Sequence, residues 1–244
     1  IRDSCRIMKK FIYTAILSIV FSGFVACDND DDLPNVSPSE RGTVTDDQGN
    51  AYEWVRIGDQ MWTTSNAQNG TDIIGAEYYN NFDWRYVIEP GSDEAEEFEN
   101  DYRPKYGNPM TLEDAIASAP EGWRVPTDED WQKLEKTLGM KNTDANGFRG
   151  EGVAYSLISK DSESELGLDF GGGCFPIINF GWIEINLDYV GEHGYYWTST
   201  IDDTYQEDYP MAYYRRVTVN YGKVSRACMR ADSYLSVRWV KDVN

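Results

Sequence analysis

The sequence predicts an α+β domain: two helices and a twisted antiparallel sheet with long loops. Three observations carry that expectation. The β-rich runs are short and are separated by Gly, Asp, Asn or Pro. Two helical patterns, each opened by a threonine that can cap it, lie together in the middle of the chain. After Gly139 the signals are strand and loop to the end. Helices grouped ahead of a series of strands favour antiparallel pairing over alternating β–α units.

Residues 42–45 and 51–57 are β-rich and flank Asp46-Asp47-Gln48-Gly49-Asn50, so they read as a hairpin. Gly58-Asp59 then turns into Gln60-Met61-Trp62. Thr111 caps the first helix, with Asp114 at the capping-box position and Leu112, Ala115, Ile116 and Ala119 on one face. Thr127 caps the second, and Asp128, Glu129 and Asp130 place negative charge at the positive end of its dipole. Trp131, Leu134 and Leu138 form its buried stripe, and Gly139 stops it. Strands are expected at 195–198, 212–219, 224–229 and 235–240. In the last, Leu235, Val237 and Trp239 alternate with Ser236 and Arg238, the pattern of a strand buried on one face. Trp123, Trp131, Trp197 and Trp239 are assigned to the core.

Signals of another kind precede the domain. Met8-Lys9-Lys10 opens a 16-residue uncharged apolar run over 11–26, ending in Phe24-Val25-Ala26 before Cys27. Spanning a bilayer takes roughly 20 residues, so the run reads as a secretory signal rather than a membrane helix. It resembles a bacterial lipoprotein signal, which implies lipidation of Cys27 and an acyl anchor in the outer membrane. Residues 1–7 precede Met8 and are set aside, 8–26 are read as the signal peptide, 27–40 as an acidic flexible tether and 41–244 as the domain. The tether expectation rests on DNDDDLPNVSPSE, acidic and nearly without apolar residues. Acidic residues directly after the cysteine resemble the signal that sends Bacteroidota-type lipoproteins to the exterior face; a solvated spacer is the simpler alternative.

The net charge is −20, and the first 26 residues carry Arg2, Arg6, Lys9 and Lys10 against Asp3, so the remainder is more acidic still. Such a balance argues against nucleic-acid binding, which needs Lys and Arg clusters, and against adsorption to anionic lipid. Catalysis has little to work with. His193 is the chain's one histidine and sits in Glu192-His193-Gly194, which reads as a turn. No ordinary zinc site and no Ser–His or Cys–His pair with a backup is available.

Cys174 and Cys228 remain once Cys5 and Cys27 are set aside. In an exported chain they are a disulfide candidate, with two buried free thiols as the alternative. Asp202-Asp203 with Glu207-Asp208, and the acidic run 89–101, could offer oxygen ligands to Ca²⁺. Neither has EF-hand spacing, and a solvated acidic loop accounts for each; no cofactor is otherwise expected. Aromatic residues in stretches of loop composition give the candidate ligand-binding set: Tyr79, Trp84 and Arg85 in the run 78–86, and Tyr205 and Tyr209 further on. Flat rings beside Asn, Asp and Arg suit sugar rings or extended peptides, and packing of long loops is the competing account.

Asp47-Gln48-Gly49-Asn50-Ala51-Tyr52, Arg56-Ile57-Gly58-Asp59-Gln60-Met61-Trp62 and Asn66 resemble the opening of the Fibrobacter succinogenes major paralogous domain. Pro120-Glu121-Gly122-Trp123-Arg124-Val125-Pro126-Thr127 is similar to its central motif, and Tyr196-Trp197-Thr198-Ser199-Thr200 and Ser236-Val237-Arg238 to its closing motifs. The resemblance runs from about Gly42 to Asp242. It implies a C-type-lectin-like fold and, by analogy, a relation to formylglycine-generating enzymes and variable receptor-binding domains. Ala119 and Trp239 stand where family members usually carry a cysteine pair, which favours Cys174 and Cys228 as a replacement. Residues 73–109 form a longer and more acidic insertion than the family leads one to expect.

The expected role is therefore a non-catalytic surface lipoprotein of the outer membrane that captures glycan or peptide, beside a TonB-dependent transporter and its surface lipoprotein. A structural or adhesive subunit without a small ligand, and a degenerate relative of the formylglycine-generating enzymes, are the alternatives.

Overall fold

In a computed structural model, residues 33–79, 84–158, 160–179, 182–204 and 209–243 are described, without the side chains of 178, 179, 182 and 183. Cys27 and the expected signal peptide lie outside these residues, as do Tyr205, Glu207 and Asp208.

The first hairpin forms as its turn residues dictate. β1 (Arg41–Thr45) and β2 (Ala51–Ile57) pair antiparallel, with Thr45 opposite Ala51. Asp46 organises the turn, its Oδ1 accepting from the backbone N–H groups of Gln48 and Asn50 at 3.0 and 2.8 Å. β3 (Gln60–Thr63) continues the sheet, and the chain's last strand, Val240–Asp242, completes it against β3.

The insertion is folded. β4 (Glu77–Tyr79) and β5 (Trp84–Tyr86) make a second hairpin. The acidic run then forms α1 (Asp93–Glu97), which passes through a π-helical turn (Phe98–Tyr102) into α2 (Arg103–Tyr106). Phe98, Tyr102 and Tyr106 recur every fourth residue and are buried, with ring centroids 4.8 and 5.1 Å apart. A solvated loop or cation-binding reading of 89–101 is corrected accordingly. Its carboxylates coat the outer face of a helix whose inner face is aromatic.

α3 (Leu112–Ala117) and α4 (Asp128–Thr137) are the two expected helices, and the Thr111 and Thr127 caps are both made. In α3 Leu112 and Ala115 are buried, but Ile116 is 54% exposed, because a helix this short turns its next position outward. α4 carries the full capping box with Asp130 and buries Trp131, Leu134 and Leu138. Gly139 follows at φ +99°, where a side chain would be strained. β6 (Gly147–Arg149) and α5 (Val153–Ile158) lead to two small two-stranded sheets. One pairs β7 (Gly173–Cys174) with β10 (Leu187–Asp188), the other β8 (Ile177–Asn179) with β9 (Trp182–Glu184). β11 (His193–Ile201), β12 (Met211–Thr218) and β13 (Tyr221–Arg230) then form the main antiparallel sheet, with β6 at its edge. β14 is the Val240–Asp242 strand. The architecture is thus α+β.

Two features bind these parts. Trp62, Trp131 and Tyr196 pack in succession, each ring tilted against the next, between the first sheet, α4 and β11, at 4.8 and 6.0 Å. Arg238 is the other. The expected one-faced strand at 235–240 is mostly extended backbone between isolated bridges, and both of its faces are covered. Arg238 is 1% exposed. It donates to Asn66 Oδ1 at 2.6 Å, to the carbonyls of Thr63 and Leu166 at 3.0 and 2.9 Å, and to that of Gly167 at 2.7 Å. An alternating pattern marks Arg238 as outward, whereas its four donated bonds tie the segments 63–66 and 166–167 together from inside.

Residues 33–40 lie on the domain, which corrects the reading of 27–40 as a tether throughout. Leu33 and Val36 pack against the core, Ser37 bonds Glu163, and the backbones of Ser39 and Glu40 pair with Arg56.

The expected Cys174–Cys228 disulfide is not formed. Cys174 is buried in β7 among Ile73, Tyr78 and Phe98. Cys228, on β13, points its thiol at Asp202 with Sγ 3.2 Å from Oδ2.

Two outcomes follow. Arg238→Met leaves Asn66 and three carbonyls without their donor and should lower unfolding stability by about 3–5 kcal/mol, measured in urea. Alkylation under non-reducing denaturing conditions should label Cys174 and Cys228 singly in peptide maps, and a linked peptide would refute the free-thiol assignment.

Candidate functional site

Tyr79 and Trp84 face each other across the β4–β5 hairpin and are the most exposed large aromatics in it, at 62% and 51%. Strand alternation puts Glu77, Tyr79, Trp84 and Tyr86 on one side of the hairpin and Tyr78 on the other. The Tyr79 and Trp84 rings stack at 6.5 Å and 29°, and Tyr86 meets Trp84 edge-on at 5.3 Å. The Tyr79 hydroxyl donates to the Glu77 carboxylate.

Tyr78 holds this platform to the domain. Its ring is buried against Ile73, Val87 and Phe98. Its hydroxyl donates to Asp232 Oδ2 at 2.6 Å, while Arg230 Nη2 donates to the same hydroxyl at 2.5 Å. Arg230 also grips Asp232 through Nε and Nη2 at 3.0 and 2.6 Å. Burial and the bond to Asp232 push the Tyr78 hydroxyl well above the ordinary tyrosine range, so it stays a donor.

Arg230 brings in the second aromatic segment. Its guanidinium lies 3.6 Å from the centre of the Tyr209 ring. Of the expected ligand-binding set, Tyr79 and Trp84 come together on the outer side of the hairpin, Tyr209 is linked to the hairpin's other side through Arg230 and Tyr78, and Tyr205 lies outside the described residues. Arg230 and Asp232 carry the arrangement yet were not among the sequence candidates. The signal available was an Arg and an Asp two residues apart at a strand end, where a bidentate pair forms readily.

Of the expected cation ligands, Asp202 and Asp203 lie among the described residues, and Glu207 and Asp208 do not. Asp202 Oδ1 accepts from the backbone N–H and hydroxyl of Thr204 at 3.0 and 2.6 Å, and Oδ2 takes the Cys228 thiol. Oδ1 thus serves the turn after β11 while Oδ2 faces β13, and Asp203 is exposed beside the turn. Among the described residues no three His, Cys, Asp or Glu side chains gather as metal ligands. The Thr204 hydroxyl and N–H bonds hold the Asp202 carboxyl down at about 2. Burial, then the Asp202 carboxylate, pushes the Cys228 thiol up to about 12, and burial raises Cys174. Neither thiol is a nucleophile at neutral pH. His193 opens β11, its Nδ1 3.0 Å from the Glu192 carbonyl and its ring 5.2 Å from Tyr189.

These features define an α+β module with an aromatic hairpin fastened to the end of its main sheet. A family model described as the Fibrobacter succinogenes major domain matches residues 55–241, and the chain belongs to that family. The match contains the hairpin, Tyr209 and the Arg230–Asp232 pair. No curated protein and no solved structure matches the chain.

Acid stability should report Asp202. A carboxyl depressed in the folded state from an ordinary value of about 3.9 contributes stability that is full above that value and is lost as pH falls through the folded one. Asp128 has the same sign, because the bonds of Arg226 and the charge of Arg215 outweigh its burial. Urea midpoints should therefore fall between about pH 4 and 2. Asp202→Asn should flatten that fall, and an unchanged pH profile would remove Asp202 from the account.

Proposed function

We propose that this domain is a non-catalytic binding module of the cell surface, held to the outer membrane through lipidated Cys27. Its ligand is a glycan or an extended peptide taken up on the β4–β5 hairpin. The observation that supports this is the Tyr79–Trp84 pair, exposed and stacked while Tyr78, Arg230 and Asp232 fix its base. A rigid aromatic face binds ring or peptide planes with little ordering cost. The two unreactive thiols are in keeping with a non-catalytic role and weigh against a working relative of the formylglycine-generating enzymes. The C-type-lectin-like fold implied by the resemblance suits a scaffold that displays variable loops. A TonB-dependent transporter with its surface lipoprotein is the partner this reading places beside it. An adhesive subunit that recognises protein alone is the second reading, favoured by the same exposed rings.

Binding to a panel of polysaccharides and peptides, with and without Ca²⁺, decides between them. A ligand from the panel should bind, and Trp84→Ala should weaken it about tenfold, the loss of one stacking contact. Binding that ignores Trp84 would sink the hairpin assignment. No ligand in the panel, with a protein captured through the hairpin, would favour the adhesive reading.

A further inference from the structure

Arg216 stands apart from the other arginines. Nine of them have a carboxylate oxygen within 4.0 Å, as expected in a chain with 42 acidic and 22 basic residues. Among the described residues Arg216 has none. Its Nε is buried without a hydrogen-bond partner, and so is the hydroxyl of Thr218 two residues along the same face of β12.

The strand register explains the placement. Tyr195, Arg216, Ser225 and Phe148 lie in one row across β11, β12, β13 and β6. The guanidinium sits 4.7 Å from the Phe148 ring centre and 6.0 Å from that of Tyr195. Phe148 meets Tyr221 edge-on at 4.9 Å, Tyr189 flanks Tyr195 at 6.3 Å, and Phe148, Tyr189 and Tyr221 are exposed. A guanidinium held flat by rings keeps its edge for a planar anion.

The geometry points to a binding site, separate from the hairpin, for the carboxylate of a uronic-acid sugar ring. Arg216 takes the carboxylate, and the exposed Phe148 and Tyr221 rings take the apolar face of the sugar. An extended peptide fits less well. Arg216 projects from β12, which is paired on both sides, so a strand added at the free edges of β11 or β6 would not lie over it. The acidity of the whole chain makes this local pairing, rather than a general field, the source of anion selectivity.

The test is calorimetric titration of the full chain in detergent micelles with an oligogalacturonate, its methyl ester, and a peptide ending in a free carboxylate. The oligogalacturonate should bind, and esterification should weaken it about tenfold or more, the loss of one charge-assisted pair. Arg216→Gln should do the same with an unchanged melting temperature. Should that variant misfold, Phe148→Ala and the ester comparison carry the test. Equal binding of acid and ester, binding of the peptide alone, no binding of the oligogalacturonate, or retention in Arg216→Gln with loss in Trp84→Ala would each overturn the assignment.

Discussion

Arg215 lies wholly inside the protein, and α4 supplies both of its carboxylate partners. Asp128 Oδ1 accepts from its Nη1 at 2.6 Å and Glu135 Oε1 from its Nε at 2.7 Å. The two acids stand two helical turns apart, so one face of α4 presents both. Arg226 from β13 shares Asp128, and Arg149 from β6 shares Glu135 at 2.7 Å. Three guanidiniums thus meet two carboxylates, and backbone carbonyls of Asp128, Thr143, Asp144 and Val224 accept from the donors left over. Burial outweighs the arginines at Glu135, whose carboxyl is raised, and brings Arg149 down to about 10. Removing one member would strand a buried charge at about 3–5 kcal/mol. The helix, three strands and the loop at 143–146 therefore keep a single mutual arrangement. The network contributes specificity of packing more than net stability, since an apolar cluster of the same shape would hold as well.

Much of this fold was legible in the residues. Trp131, Leu134 and Leu138 repeat at helical spacing, and Asp46-Asp47-Gln48-Gly49-Asn50 is turn chemistry, so the α4 stripe and first hairpin declare themselves locally. Asp128, by contrast, looked like a dipole-compensating surface residue, because a helix's first turn is where exposed acids usually sit. Its burial depends on Arg215 and Arg226, about 90 residues away. Arg238 misled for the same reason: period-two alternation says which side a residue faces, not whether that side is covered. The insertion held a signal that charge obscured. Phe98, Tyr102 and Tyr106 are spaced as a helix face within a run of Glu and Asp. Of the candidate site, the aromatic clusters were legible and the fastening of Tyr78 was not, since it is made by Arg230 and Asp232.

A two-stranded hairpin is marginal by itself. Here the insertion supplies its support, with the stacked Phe98 and Tyr102 rings beneath and the Tyr102 hydroxyl donating to the Gly171 carbonyl at 2.7 Å. The same segment that looked like an acidic embellishment is the footing of the exposed pair. Variation in 79–84 could then change what the platform contacts while Tyr78 and its partners hold the base in place.

The closing strand has a consequence for how the protein comes into being. β14 lies between β3 and the backbone of Arg124, and Arg238 reaches back to Thr63 and Asn66. Residues near 60 therefore have no complete neighbourhood until those near 240 have arrived. The domain cannot mature piecemeal from its leading end. With so much pairing between distant parts of the chain, it should condense late and slowly. A polypeptide built this way stays loose for longer after its synthesis, which suits the export proposed for it.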